Sequence, residues 1–315
     1  KSLLRDSARA SAPGVYHFKG TNKIEKGFYT LIAQKRIPYC NFVIGDNPFF
    51  TMNLDTTGRA DAMSVKNNPD NEIVVAFQQR TAIAQEDVNR YVEAKKHFET
   101  AGQPDSASYY QQKLEDLNTE MLAFIDNLIK DNPNLLFAKM QKAYQAIDVP
   151  EFKDAEGSID NDARATYYFT HYWDNIDLGD GSMVYTPILK GKFQEYFEKI
   201  LVYQEIDTIN KYVDFTLGKC TDSLTYQYAI SYLSRYYETA KNIGFDGVFI
   251  HIVKNNQLKN KCFWMDEDLI AKYNKRVERL EPLLIGQHAP ELMIPDTNDE
   301  WRYSFRQRDN NPNET

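Results

Sequence analysis

Cysteine is scarce in this chain: Cys40, Cys220 and Cys262 are the only three in 315 residues. They lie far apart and include no Cys-x-x-Cys pair, so local spacing builds neither a disulfide framework nor a zinc knuckle. The odd count leaves at least one thiol free. Basic charge is also short. Lys and Arg number 37 against 45 Asp and Glu, a net charge of -8, and no Lys/Arg cluster offers the basic face that phosphate binding requires, which argues against nucleic acid as a partner. No run of about 18 apolar residues is present, so the sequence predicts no transmembrane segment. The five histidines, His17, His97, His171, His251 and His288, never pair at metal-ligand spacing on one helix, and we expect no metal and no cofactor. A P-loop, a Gly-x-Ser-x-Gly elbow and a dinucleotide fingerprint are absent, leaving nucleotide and hydrolase chemistry without a motif. The opening residues, KSLLRDSARASAPG, lack the apolar core of a secretory signal, so any export signal is expected to lie upstream or to have been removed.

What the chain has in abundance is aromatic side chains: Tyr 21 and Phe 18, flat amphipathic surfaces that pack a helical core or line a groove. The hydrophobic content of 42% and charged content of 26% are those of a soluble globular protein, and the length accommodates one large or two ordinary domains.

After a leader over residues 1–12, strand signals fill residues 13–66. Val15 to Phe18, Gly27 to Ala33, Cys40 to Ile44 and Phe49 to Leu54 are short runs of aromatic and β-branched residues separated by turn elements at Gly20, Lys35 to Pro38, Gly45 to Pro48 and Asp55 to Gly58. The natural reading is an antiparallel meander, short enough to need another layer on one face. Residues 67–147 are helical. Asp70 is the expected N-cap of a first long helix whose stripe runs Ile73, Phe77, Thr81, Ala84, Val88, Tyr91, Lys95 and Phe98. Ala101 to Ser106 breaks it, with Pro104 in the turn and Asp105 or Ser106 capping a second helix that carries Tyr110, Leu114, Leu117, Met121, Phe124 and Leu128. The pair predicts a helical hairpin, either part of a core or a protruding arm. Asn134 to Ile147 reads as a third helix. The polar stretch from Asp148 to Asp160 is the best boundary, after which a helical domain occupies residues 158–282. The fold class is therefore α+β: a small antiparallel β module followed by a mainly α-helical domain.

Near the end stands LIGQHAPELMIPDTNDEW, from Leu284 to Trp301. This Gly-x-x-Ala-Pro-x-Leu segment resembles the leading strand of a redoxin domain. Upstream, FKGTNKIEKGFYTLIA, NFVIGDNPFFTMNLD and MSVKNNPDNEIVVAF resemble the β-sandwich module of Bacteroidetes envelope thioredoxin-like thiol-disulfide oxidoreductases, with Asn67 to Asn71 where that family often has Ser. The stretch ARATYYFTHYWDNIDLGDGSMVYTPILKGKFQEYFEKIL, then IGFDGVFIHIVKN and Cys262 to Asp266, is similar to the helical segment that joins that module to the catalytic domain. About two-thirds of the chain takes part in the resemblance, which rests on the order of its segments more than on any one motif. It implies that the chain is the non-catalytic N-terminal region, positioning or client-binding, of an oxidoreductase cut at 283–315 inside or just before its thioredoxin-like domain. Its partners would be that downstream domain and protein thiol clients, and its location the periplasm or a membrane-anchored position in the cell envelope.

Two further readings belong to other classes. One is a stand-alone envelope module that binds a peptide or glycan; the other is an enzyme with its site between the β and helical parts. The candidate binding residues are Tyr168, His171, Tyr172 and Trp173, in the densest aromatic patch, which serves either as core or as a client groove. Asp174, Asp177 and Asp180 fall every third residue, not at the alternate positions of a calcium loop, and read as a solvated turn. His251, in the apolar run Val248 to Val253, reads as a satisfied buried histidine, and each cysteine as a packing residue.

Overall fold

The structure, a computed structural model, describes residues 4–21, 24–33, 38–55, 62–259, 261–288 and 290, and the backbone of 293–295 and 301–303. Among these residues the chain is an α+β protein of four antiparallel two-stranded sheets and nine α-helices. It divides into two compact units. The first comprises residues 1–146, 175–177 and 182–190, and the second residues 147–174, 178–181 and 191–315.

In the first unit, β1 (Ala10–Ala12) pairs with β2 (Val15–Tyr16), β3 (Gly27–Ile32) with β4 (Pro38–Ile44), and β5 (Thr51–Asn53) with β6 (Ser64–Lys66). The expected meander is thus three separate hairpins. Strand β1 lies in the stretch read as a leader, the runs at Val15 and Phe49 are shorter than expected, and Phe49 itself is exposed. The reason for the break is visible at Val43. Its N–H donates to Asn71 Oδ1 and its carbonyl accepts from Asn71 Nδ2, both at 2.7 Å. A buried side-chain amide takes the place of a neighbouring strand and closes that edge of β4.

Asn71 stands in the first turn of α1 (Pro69–Thr100) and is held by its own neighbours. The N-cap is Asn68, not Asp70: Asn68 Oδ1 accepts from the Asn71 N–H at 2.9 Å, and Pro69 occupies the first helical position, where its missing N–H costs nothing. Asn67 adopts φ 64°, a left-handed conformation that asparagine tolerates, and its carbonyl accepts from Asn47 Nδ2 at 2.9 Å. Asp70 turns elsewhere. Its carboxylate accepts the Phe137 N–H at 3.2 Å at the start of α3 (Leu136–Lys142), and burial raises its pKa even though that bond and one from Leu136 lower it. A Cβ on Gly45 would stand 2.2 Å from Asp70 Oδ2, so only glycine fits beneath it.

Helix α1 and α2 (Pro104–Asp131) form the expected antiparallel hairpin. Gly102, at φ 67°, makes the turn, and Pro104 opens α2 behind the N-cap Gln103, so neither Asp105 nor Ser106 is the cap. Along the seam Phe77 meets Phe124, Arg80 bonds Glu120 at 3.0 Å, Tyr91 meets Tyr110, and Lys95 donates to Gln111 at 2.8 Å. Thr81, assigned to the stripe, is exposed. The third helix is shorter than expected because Leu136 to Lys142 alone stay helical.

The second unit packs α4 (Asn161–His171), α6 (Ile206–Lys219), α7 (Ser223–Thr239), α8 (Phe245–Ile252) and α9 (Glu267–Leu280), together with the chain beyond α5 (Pro187–Phe193). Its centre is aromatic: Trp173 meets Phe193 and Tyr196 at ring separations of 5.0 and 5.1 Å, and Tyr196 donates to the Phe169 carbonyl at 2.7 Å. Two π-helical turns interrupt the regular geometry, Gln194–Ile200 after α5 and Val253–Gln257 after α8. Gly244 opens α8 at φ 86°, a value that favours glycine. Of the expected redoxin-like strand, β7 (Met293–Pro295) pairs antiparallel with β8 (Trp301–Tyr303). Leu292 and residues 296–300 and 304–315 lie outside the described residues.

No described helix is long and apolar enough to cross a membrane. Leu117 is 7% exposed in the hairpin seam, whereas Leu122 on the outer face is 55% exposed. Replacing Leu117 by Ala is expected to lower unfolding stability by about 2–4 kcal/mol, as for other emptied core sites, and Leu122→Ala by less than about 0.5 kcal/mol. Urea denaturation of the two variants measures the difference.

Candidate functional site

The aromatic patch is mostly structural. Trp173 is 1% exposed and Tyr172 3%, each enclosed by rings of the second unit. Tyr172 donates to Glu195 Oε2 at 2.6 Å, and burial followed by this acidic partner pushes its phenol far above the usual value. These two side chains present no face for a ligand. Tyr168 is half-buried against Tyr172, and His171 stacks on Tyr167 at 4.0 Å while its Nδ1 meets Asp174 Oδ2 at 2.6 Å. Asp174 also accepts from Lys219 at 3.2 Å. Burial tends to raise this carboxyl, but the bonds from His171 and Lys219 outweigh it and hold the group below the usual carboxylate range. Asp174 and Asp177 are therefore engaged by basic side chains of the chain itself, Asp177 by Lys139 at 3.0 Å. Among the described residues no group of three or more His, Cys, Asp or Glu is placed to hold a metal ion.

A cleft of about 540 Å³ opens instead around the π turn beyond α8. Asp214 and Leu217 of α6 form one wall, Tyr226 of α7 another, and Asn255, Asn256, Lys259 and Lys261 the third. His251, expected to be buried and satisfied, stands at its edge and is half-buried. Its Nε2 meets both oxygens of Asp214, at 3.0 and 2.9 Å, and Asn255 Nδ2 donates to its Nδ1 at 3.2 Å. Lys259 Nζ donates to Asn255 Oδ1 at 3.0 Å, which fixes the amide's orientation. The result is a directed chain from Lys259 through Asn255 and His251 to Asp214, in which the imidazole proton sits on Nε2. Next to it Tyr226 donates to Asn256 Oδ1 at 2.7 Å, and Asn256 Nδ2 donates to the Ile252 carbonyl at 3.0 Å.

Both ring nitrogens of His251 are engaged by partners within the chain, Asp214 at Nε2 and Asn255 at Nδ1. Tyr226 is raised to about 12, chiefly by burial, and so stays a phenol. Cys220 and Cys262 are buried and unbridged, and burial lifts their thiols to about 12 and about 11. Cys40, with Met52 Sδ at 3.9 Å, is likewise raised to about 11 by burial. A nucleophilic cysteine needs the opposite shift.

The sequence carried one local signal for this cleft, the four-residue spacing of His251 and Asn255 on a helix face. Asp214 and Tyr226 come from two other helices and gave none.

Residues 129–281 match the profile of a family described as domain of unknown function (DUF5106), just under half of the chain, and the match contains the whole of the lining of this cleft. No curated protein and no solved structure matches the chain.

The thiols yield a pH dependence. Their folded values lie above the ordinary thiol value of 9.0, so their contribution to stability is complete below pH 9 and is lost as pH rises toward 11 to 12. At pH 8 the folded chain is expected to react with iodoacetamide at least about tenfold more slowly than the chain in denaturant, where the thiols are solvated and return to their ordinary value. Mass spectrometry of the alkylated cysteines measures this.

Proposed function

We propose that this chain is a non-catalytic accessory region that holds an extended polypeptide client, and that the cleft beside the π turn Val253–Gln257 is where it does so. The observation that carries the reading is the chain of hydrogen bonds from Lys259 to Asp214, which holds a cation and an anion in the lining of one cleft. An extended backbone offers N–H and C=O groups along its length, and preorganised polar walls of opposite charge bind it with little ordering cost. The buried, protonated thiols support a holding role over a redox one. The resemblance of the sequence to envelope thiol-disulfide oxidoreductases supplies the context: in this proposal the clients are protein thiols, the catalytic thioredoxin-like domain is supplied by the same polypeptide, and the setting is the cell envelope.

Two measurements test it together. The chain is expected to bind a reduced, unfolded polypeptide, read by fluorescence anisotropy, and Asp214→Asn or Lys259→Gln is expected to weaken that binding about tenfold, a loss near 1.4 kcal/mol. In insulin reduction with dithiothreitol the chain is expected to match the uncatalysed rate. Acceleration that disappears in Cys220→Ser or Cys262→Ser overturns the proposal and places chemistry in the second unit; so does client binding that both cleft variants leave unchanged.

A further inference from the structure

The hydrogen-bond chain in the cleft holds in one protonation state of His251 only. With its proton on Nε2, the ring donates to Asp214, and its bare Nδ1 accepts from Asn255 Nδ2 at 3.2 Å. Asn255 Oδ1 is then left to accept from Lys259 at 3.0 Å. Adding a proton to the ring breaks the middle link. An Nδ1–H would face the Nδ2 donor, and two donors at that distance repel; the bond is restored when the amide turns to offer Oδ1 to the ring. The turned amide presents its NH2 group to Lys259, which thereby loses its acceptor.

The surroundings fix the sign of the change. From α6 the ring faces Asp214, and Lys211, one turn earlier, lies over the Tyr212 ring at 5.2 Å. From α7 comes Tyr226, whose hydroxyl is committed to Asn256. On the segment that follows the ring, Lys254 is held by Glu281 at 2.6 Å, while Lys259 and Lys261, both exposed, line the cleft. The charged groups that α7 and α9 bring toward the π turn, Arg235, Glu238 and Asp266, line a second cleft of about 520 Å³ together with Gln257, and none of them lines the first. Protonation of the ring therefore adds a positive charge beside one carboxylate and two ammonium groups. It draws the carboxylate to the imidazolium and frees one ammonium group from its internal acceptor. Such a cleft favours an anion. Imidazole is the side chain that ordinarily changes charge between about pH 5 and 8, a range in which Asp and Glu side chains remain ionised.

We infer that the cleft is a proton-gated site for carboxylate side chains of the bound polypeptide: protonation of His251 turns the Asn255 amide and releases Lys259 to pair with an Asp or Glu of the client. The identity of the ligand rests on the client-binding reading; the gate does not. The two events are linked, so that acid tightens the hold on a carboxylate and the carboxylate promotes protonation of the ring.

The probe is a rhodamine-labelled peptide of alternating Gly and Glu, titrated into the full chain at pH 8 and at pH 5.5 and read by fluorescence anisotropy, with the Gly-Gln peptide as its uncharged counterpart. The Glu peptide is expected to bind about tenfold more tightly at pH 5.5, the scale of one charge-assisted hydrogen bond, and the Gln peptide to show no gain. His251→Gln, which cannot take the charge, is expected to bind the Glu peptide equally at both pH values. Asn255→Ala removes the tether at any pH and is expected to hold the Glu peptide at pH 8 nearly as tightly as the unaltered chain does at pH 5.5. In NMR spectra the side-chain amide of Asn255 is expected to shift together with the His251 ring as the pH falls. An Asn255 amide that does not follow the ring, a Glu peptide that binds no more tightly in acid, or an Asn255→Ala variant with the pH dependence of the unaltered chain overturns the gate. A chain that shows the gate with the Glu peptide but takes no unfolded polypeptide at either pH overturns the client reading and leaves the carboxylate site standing. Polypeptide binding through this cleft with no dependence on pH overturns the gate and leaves the client reading standing.

Discussion

Between Ile252 and Lys261 the backbone hydrogen bonds reach back five residues where an α-helix reaches four: the Leu258 N–H bonds the Val253 carbonyl at 3.0 Å, and the Lys261 N–H the Asn256 carbonyl at 3.2 Å. Such a wide turn is less favourable than regular helix and is found mostly where it serves a purpose. The extra residue rotates the next side chains around the axis, so that Asn255 and Asn256 face one cleft and Gln257 the other. Buried Val253 and the apolar helix before it, with Val248, Phe249, Ile250 and Ile252 all buried, anchor the turn from within. The other π turn, Gln194–Ile200, works in the same manner: it brings Glu195 to Tyr172 and Glu198 to Tyr232, tying half-buried acids to tyrosines of the core.

Side-chain amides stand at several places where regular backbone pairing stops. In the first unit Asn71 occupies both backbone groups of Val43, and Asn68 and Asn47 bind the segment that leads to it, Asn68 Nδ2 donating to the Asn47 carbonyl at 2.9 Å. In the second, Asn256 takes the Ile252 carbonyl at the π turn. An amide carries donor and acceptor side by side, and so substitutes for a peptide group where the chain cannot supply one.

How much of this was legible in the sequence depends on the range of the interactions. The helical hairpin was readable because its stripe, from Phe77 to Phe98 and from Tyr110 to Leu128, repeats within each helix. The strands were located, but not their separation into hairpins, because an amide 28 residues away blocks the edge of β4 and no local pattern announces it. Asp70 had the composition of an N-cap, yet its carboxylate serves a helix start 67 residues further on. The aromatic patch at Tyr168 to Trp173 was visible as a cluster, and its largest members turned inward because a dense group of rings is the cheapest apolar area to bury. The cleft escaped because π register is not written in hydrophobic periodicity and its walls come from three helices.

Hydrogen exchange measured by mass spectrometry, on the chain with and without a reduced, unfolded polypeptide, tests the central claim most directly. The account predicts slower exchange confined to peptides covering residues 214–226 and 253–265, the two sides of the clefts around the π turn. Protection confined to the α1–α2 hairpin or the β hairpins, with the π turn exchanging as before, would contradict it.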